Sequence, residues 1–424
     1  MLATRGTLAI REIAAHDDRG IASAVELYGQ AYPVLKLDTA TAVADAAGRT
    51  QRRLSSGESR LFLAERDGTV AGTMMVYDYL MRLRDGDVAV AGLGSVAVGL
   101  AHKRRGVAKA LVSFHLDDAR ARGAAFSILH PFRADFYRAL GYGYGTPTQR
   151  YRFAAGTLRT DGAQGSARLL TVDDAGALVA CTERVRTGVN GLLAKSDALA
   201  QRLLGEPQIR YVGIEDASGV LRAYAKTMVV LGPEGSVNTN ELLVSDIAYE
   251  HDAAFAALLA YLRAQEDQYP YVAVEVQDPA FYLVSTDARD GTDTLVGPPA
   301  THRIAQTGLG IMYRVTDMDA AFERCGAGAM PLTLRLVVAD SFSAPTRGTF
   351  TYRFVPGRAP ERDDAAEADV TLAIGIADLS SLVAGSHRLR DLIRHRLASV
   401  VPESQTARLA ALFEADPPVC TTRF

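Results

Sequence analysis

Residues 93–116 read LGSVAVGLAHKRRGVAKALVSFHL, and this stretch decides the fold that the sequence predicts. An apolar strand ends at Val98, and the basic run Lys103–Arg105 leads to Gly106 at the start of an amphipathic helix. A helix N-terminus presents unpaired N–H groups and a partial positive charge, and a glycine there lets a ligand approach the backbone. The pattern predicts a phosphate or pyrophosphate site, although a solvated charge run before an ordinary helix accounts for the same residues.

Two other nucleotide-binding motifs are missing from this stretch. It contains no Walker lysine motif, so a nucleoside triphosphate is not favoured as the ligand. Gly92 and Gly94 do not form a GxGxxG sequence, and no helix is predicted to begin there. A dinucleotide-binding Rossmann site therefore has no support.

The composition of the whole chain is that of a folded protein with several domains. Its 424 residues correspond to about three domains, and 48% of them are hydrophobic against 22% charged. Lysine and arginine total 46, and aspartate and glutamate total 49, which gives a net charge of -3. This balance argues against a dedicated nucleic-acid-binding protein, because such proteins carry a large basic excess.

Cysteine and histidine usage favours a reducing compartment and no metal. Cys181, Cys325 and Cys420 lie far apart and form no CxxC pair, and the eight histidines do not cluster at the spacing of metal ligands. The N-terminal sequence has no signal-peptide pattern, and the longest apolar stretch, Val88–Ala101, is too short to span a bilayer. We therefore expect a cytoplasmic protein with no membrane span.

Around the opening stretch, hydrophobic periodicity predicts a complete α/β unit. The predicted order is strand, helix, helix, three strands, helix, strand, helix, strand. Tyr151–Phe153 is expected to be the strand that closes this unit. The polar, Gly-rich residues Thr160–Ser166 that follow are predicted to be a linker.

Two further segments complete the predicted α/β (α+β) architecture. Residues 210–283 repeat the later half of the first unit in order and spacing, so we predict a second, degenerate copy. In it, Ala248–Asp252 (AYEHD) replaces the glycine motif and puts acidic residues where phosphates would bind. The last segment begins with the strand Gly310–Val315 and has its strands before its helices, as in a small α+β domain. The predicted domains are 1–158, 159–305 and 306–424.

Two motifs carry a resemblance to a known family. The segment from Val96 to Ala108 resembles the acetyl-CoA motif of GNAT N-acetyltransferases, in which a V-x-V strand is followed by K/R/Q-x-x-G-x-G/A at a helix start. About thirty residues later, FYRALGYGYG (136–145) resembles the segment after the fifth strand of that fold. Two tandem GNAT-like units, a C-terminal domain like a sterol carrier protein and a terminal Phe424 together resemble the Eis (enhanced intracellular survival) family.

The resemblance implies roles for particular residues. Tyr137 would be the general acid, and the terminal carboxylate of Phe424 would accept the proton of the amine. From the residues alone, a packed tyrosine and a frayed chain end are the alternatives. The residues that would hold acetyl-CoA, by backbone groups for the pantetheine and by charge or backbone N–H groups for the pyrophosphate, are Val96, Val98, Lys103, Arg104, Arg105, Gly106 and Ala108.

The resemblance also implies the activity, an acetyl-CoA-dependent N-acetyltransferase with one cofactor site per chain, no metal, and a homohexameric assembly. Its small-molecule acceptors would be aminoglycosides or other polyamines. Arg423 and Phe132 depart from the family pattern, which leaves the acceptor open. The alternatives are an acyltransferase for protein lysines or longer acyl-CoA substrates, and a non-catalytic module that binds a lipid or CoA.

Overall fold

The computed structural model describes residues 8–160, 166–232, 239–325 and 330–424. Most of the predicted linker Thr160–Ser166 lies outside the described residues. The chain divides into two compact units. Unit 1 comprises residues 1–145, 311–417 and 424, and unit 2 comprises residues 146–310 and 418–423.

The strands and helices of the described residues are numbered in chain order. The strands are β1 (Leu8–Ile13), β2 (Arg60–Arg66), β3 (Thr69–Leu83), β4 (Gly86–Val98), β5 (Phe126–Leu129), β6 (Gly143–Tyr144), β7 (Thr148–Ala154), β8 (Ser166–Leu170), β9 (Arg210–Glu215), β10 (Leu221–Val230), β11 (Glu241–Tyr249), β12 (Tyr271–Val276), β13 (Leu295–Gly297), β14 (Thr301–His302), β15 (Ala305–Gly308), β16 (Met312–Val315), β17 (Leu332–Ala339), β18 (Gly348–Phe354), β19 (Glu361–Arg362), β20 (Val370–Gly375) and β21 (Ala398–Val401). The helices are α1 (Asp18–Ala31), α2 (Ala40–Ser55), α3 (Val107–Ala121), α4 (Ala134–Ala139), α5 (Ala175–Arg186), α6 (Asp197–Leu204), α7 (Asp252–Arg263), α8 (Met318–Phe322), α9 (Ile376–Ala384), α10 (Leu389–Arg394) and α11 (Thr406–Leu412).

A seven-stranded sheet in the order β1-β2-β3-β4-β5-β16-β6 forms the first half of unit 1. Its pairs are antiparallel except β4 with β5, which are parallel and joined through α3. Side-chain caps start the first two helices, because Asp17 accepts from the amide of Gly20 at 2.8 Å and Thr39 from that of Ala42 at 3.1 Å. One hydrophobic cluster lies under α3 and another under α1, so both faces of the sheet are covered.

The second half of unit 1 is a five-stranded sheet in the order β19-β18-β17-β20-β21. The helix α9 packs against β16 and β6 of the first sheet. The hydroxyl of Ser380 accepts from the amide of Val315 at 2.9 Å, and that of Ser381 donates to the carbonyl of Tyr144 at 2.8 Å. These bonds satisfy backbone groups of the first sheet, so α9, which directly follows β20, connects the two sheets of unit 1.

Unit 2 repeats the strand pattern of the first sheet in the order β15-β7-β12-β11-β10-β9-β8. As in unit 1, the parallel pair, β11 with β12, is joined by a helix, α7. The N-terminus of α7 is closed by its own cap, because Nδ1 of His251 accepts from the amide of Ala254 at 3.2 Å. Glu250, the residue before this cap, pairs with Arg184 and Arg222. In the segment that replaces the glycine motif, the side chain of His251 therefore caps the helix and that of Glu250 is held by two arginines.

Two strands belong to different sheets from those the sequence predicts. Tyr151–Phe153 was expected to close the first unit, but β7 pairs with β12 and β15 in unit 2. Gly310–Val315 was expected to open the third domain, but β16 pairs with β5 and β6 in the first sheet. The alternation of apolar and polar residues along a strand predicts which side chains are buried, but it does not predict which strand lies beside it. The sequence pattern therefore could not predict the pairing of β7 or of β16. The boundaries 158/159 and 305/306 remain predictions.

Candidate active site

The site is built on the last part of β4. Its parallel ladder with β5 ends at the pair Gly92–Ile128, although β4 continues to Val98. Ser95 has a φ of 50°, and the ladder with β3 shifts register beside it, as at a bulge. Beyond Gly92, β4 therefore presents backbone groups that β5 does not use, in the region where the family resemblance implies that pantetheine binds.

The N-terminus of α3 is the place where the sequence predicts an anion site. Gly106 stands at the cap position with a φ of 82°, a left-handed conformation that glycine adopts without strain, and no side chain bonds there as a cap. A Cβ on Gly106 would meet no atom within 4 Å. Lys103, Arg104 and Arg105 are exposed beside it, and Arg66 donates to the carbonyl of Arg105 at 3.3 Å. The turn thus presents three cations and open backbone N–H groups.

The remaining predicted cofactor residues lie on either side of this turn. Val96 and Val98 are half-buried and pack against the hydrophobic cluster that contains Tyr137. Ala108 is half-buried in the first turn of α3. The carbonyl of Val96 accepts a 2.7 Å hydrogen bond from the hydroxyl of Tyr32, so one of the backbone groups on β4 already has a partner.

Tyr137 lies on α4 with only 4% of its surface exposed. Its ring makes edge contacts with Phe132, Phe136 and Tyr142 at centroid distances of 6.0, 5.1 and 5.7 Å. Burial raises the pKa of its phenol well above the usual value, and the nearby phenols of Tyr142 and Tyr32 act in the same direction. The phenol therefore carries its proton at neutral pH, as a general acid must.

Phe424 packs against β4 in unit 1, on the face of the strand opposite the hydrophobic cluster that contains Tyr137. Gly92 and Gly94 point towards this face because residues two apart share a side of a strand. A Cβ on Gly92 would lie 3.0 Å from the ring of Phe424, and one on Gly94 would lie 3.4 Å from its carboxyl carbon. The two glycines therefore make room for the last residue, which is a role that the sequence analysis did not assign to them.

Three side chains missed by the sequence analysis surround the Phe424 ring. They are Tyr77, Tyr79 and His130, with centroid distances of 5.4, 5.5 and 5.2 Å. Tyr77 and Tyr79 are two apart on β3 and stack on each other, and His130 directly follows β5. The Tyr-x-Tyr sequence of residues 77–79 predicts two aromatic rings on one face of a strand. Nothing in the sequence indicates that Phe424 packs against that face.

Within the described residues, no group of three or more His, Cys, Asp or Glu side chains could hold a metal ion. In the same part of the chain, no helix is both long enough and apolar enough to cross a membrane.

Two family models match the chain. Residues 13–145 match the acetyltransferase (GNAT) domain, and residues 318–421 match the sterol carrier protein domain. An uncharacterised N-acetyltransferase of Streptomyces coelicolor is 28% identical over 229 residues, which is 50% of this chain and 55% of the relative.

Two Eis proteins are similar over most of the chain. N-acetyltransferase Eis of Mycobacterium tuberculosis is 27% identical over 379 residues, covering 84% of this chain and 87% of that protein. The crystal structure of Eis1 from Mycobacterium abscessus shares the fold with a TM-score of 0.74 at 21% identity, over 99% of this chain and 100% of that one.

The fold and the matches define a GNAT N-acetyltransferase that carries a sterol carrier protein domain in its C-terminal part. Within that class, the chain is similar over 84% of its length to N-acetyltransferase Eis.

Proposed function

We propose that this enzyme transfers the acetyl group of acetyl-CoA to the primary amines of aminoglycosides or other polyamines. The observation that carries the proposal is the position of Phe424, whose carboxyl carbon approaches Gly94 on β4 while its ring is held by Tyr77, Tyr79 and His130. A chain end held in this way is a carboxylate fixed beside the strand that GNAT enzymes use to bind the thioester.

The residues around β4 and α3 fit acetyl-CoA as a substrate. Lys103, Arg104 and Arg105, with the open N–H groups at Gly106 and Ala108, would hold the pyrophosphate. The backbone of β4 at Val96 and Val98 would hold the pantetheine, as the unpaired edge beyond Gly92 permits. These seven residues line two adjoining segments of unit 1.

In the proposed reaction, a neutral amine attacks the thioester carbonyl in a ternary complex. The carboxylate of Phe424 receives the amine proton, directly or through water, and the C–S bond breaks as Tyr137 gives its proton to the departing thiolate. An α-carboxylate is a weak base with a pKa of about 3.5, so its fixed position matters more than its basicity. Phe424 and Tyr137 pack against opposite faces of β4, which keeps the base and the acid apart.

The assay is release of the CoA thiol from acetyl-CoA over a panel of aminoglycosides, simple polyamines and lysine peptides. Tyr137→Phe is expected to lower kcat at least about 100-fold with little change in the Kd for CoA, since general acid catalysis contributes about 10²–10⁴-fold. The half-exposed Tyr282 gives the matched control, Tyr282→Phe, which keeps the wild-type rate. Wild-type turnover in Tyr137→Phe would remove this residue from the mechanism.

One added glycine after Phe424 tests the terminal carboxylate, because it turns that group into an amide and keeps the ring. Loss of turnover with unchanged CoA binding supports the proposal. Turnover with lysine peptides or longer acyl-CoA substrates alone would favour the wider acyltransferase alternative. A co-purified lipid together with no affinity for CoA would favour the binding module. Sedimentation of the full chain tests the homohexamer.

A further inference from the structure

Unit 2 has a place equivalent to the acetyl-CoA site of unit 1. The parallel ladder of β11 with β12 ends at the pair Val244–Val274, although both strands continue beyond it. Asp246, just past the end of the ladder, has a φ of 48°, as Ser95 on β4 has a φ of 50°. We call the place beyond Val244–Val274 the second cleft.

Residues 419–423, here the C-terminal segment, bond to both strands of the second cleft. The amide of Cys420 donates to Oε1 of Gln277, the residue after β12, at 2.6 Å. The hydroxyl of Thr421 donates to Oδ1 of Asp246 on β11 at 2.7 Å. The segment therefore lies where the ends of the two strands no longer bond to each other.

Contacts at either end of the C-terminal segment complete its binding. The amide of Val419 donates to the carbonyl of Asn190 at 2.7 Å, and Arg423 pairs with Glu275 on β12 at 2.5 Å. The space that remains beside Thr421 is a cavity of about 40 Å³, room for about one water molecule. The segment thus fills the second cleft.

The acceptor for Thr421 is a buried carboxylate that is itself held in place. Asp246 accepts from Nζ of Lys195 and from the hydroxyl of Tyr211, both at 3.1 Å. The side chains of Lys195 and Asp246 are 1% and 6% exposed. A buried ion pair needs its remaining hydrogen-bonding capacity filled, and the hydroxyl of Thr421 fills part of it.

We infer that the second cleft is a binding site for the chain's own C-terminal segment, and that the hydrogen bond from Thr421 to Asp246 holds the segment there. Both residues lie in unit 2, so this binding does not depend on the proposed function.

Cys420 reports directly on release of the C-terminal segment in the intact protein. Cys420 is half-buried, and this burial raises the pKa of its thiol to about 12, so a thiol reagent reacts more slowly while the segment is bound than after its release. Mass spectrometry of the labelled peptide distinguishes it from the buried Cys181 and Cys325. Labelling of the full-length enzyme at neutral pH, followed in time, therefore measures how often the segment leaves the second cleft.

Thr421→Val removes one hydroxyl and is expected to speed labelling of Cys420 by about tenfold or more, the effect of losing a hydrogen bond to a carboxylate. Thr421→Ser keeps the hydroxyl and should restore slow labelling. The matched control is Thr187→Val, because that hydroxyl donates only locally, to the carbonyl of Arg184 at 2.8 Å.

Faster labelling of Cys420 in Thr421→Val, with slow labelling in Thr421→Ser and in the control, supports the binding site. Unchanged labelling in Thr421→Val overturns it. The readout is labelling and not turnover, so it decides the question even if the wild-type chain transfers no acetyl group to any amine.

Discussion

A single methyl group added at Gly92 is expected to lower kcat about 3- to 10-fold. The Cβ of alanine there would lie 3.0 Å from Cε2 and 3.2 Å from Cδ2 of Phe424, and 3.2 Å from Cβ of Tyr77. Contacts between carbon atoms this short are tighter than ordinary van der Waals contact, so the neighbours must move by a few tenths of an ångström. Tyr77 is paired with Gly92 in the ladder of β3 and β4, which leaves the chain end to give way.

The size of the effect follows from the proposed role of the carboxylate. A misplacement of about 1 Å can cost about 100-fold in rate when a reacting group must be aligned, so a few tenths of an ångström is expected to cost about 3- to 10-fold. The assay is CoA thiol release at saturating acetyl-CoA and acceptor, with thermal unfolding measured in parallel. The matched control is Gly308→Ala, on strand β15, where a Cβ would meet nothing within 4 Å.

Wild-type kcat in Gly92→Ala would refute the reasoning, because the ring of Phe424 would then tolerate displacement. A fall in kcat that matches a loss of folded protein would refute it as well. Gly94→Ala gives a graded comparison, since its Cβ would lie 3.4 Å from the carboxyl carbon of Phe424 and 3.1 Å from Tyr77. We expect a smaller fall in kcat there than in Gly92→Ala.

Three further predictions concern the anion site and stability. Gly106→Ala should raise the KM for acetyl-CoA and cost about 1–2 kcal/mol of stability, because φ is 82° there; steady-state kinetics and urea unfolding check it. Burial lowers the pKa of His115 from 6.5 to about 4, so on acidification the unfolded chain binds this proton before the folded chain does. The resulting stability, up to about 3 kcal/mol, is fully present above pH 6.5 and is lost as the pH falls to 4. Urea unfolding across this range, with His115→Phe as the reference, measures the loss. Asp340→Ala should cost about 3–5 kcal/mol in the same assay, because it strands the buried guanidinium of Arg314; a cost below 1 kcal/mol would contradict this.

The elements with a strong period were predictable from the sequence. The strand ending at Val98 and the helix after Gly106 appear as β4 and α3 within about one residue of the predicted bounds. The dipeptide Asp67–Gly68 is typical of a two-residue hairpin turn, and it joins β2 to β3 in this way, because both residues adopt the positive φ that such a turn requires. Local sequence was enough here, since turn chemistry and periodicity act over a few residues.

The surroundings of Phe424 were not predictable in the same way. The family resemblance gave the terminal residue a role, but its neighbours come from β3, β4 and the end of β5, far away in the sequence. In the sequence, Gly92 and Gly94 stand out only as two glycines that do not complete a GxGxxG motif. Their spacing does carry the signal, because two glycines two apart on a strand leave room on one face, but the sequence does not say what fills that room.

The second copy shows that the fold alone does not make an anion site. β11, α7 and β12 reproduce β4, α3 and β5 in order and direction, and Asp246 reproduces the positive φ of Ser95. At the start of the helix the two copies differ, because Gly106 leaves the N–H groups of α3 without a side-chain cap whereas His251 caps α7. An anion would have to displace that cap and approach Glu250. We therefore expect the glycine and the basic run, rather than the topology, to decide which copy can hold a pyrophosphate.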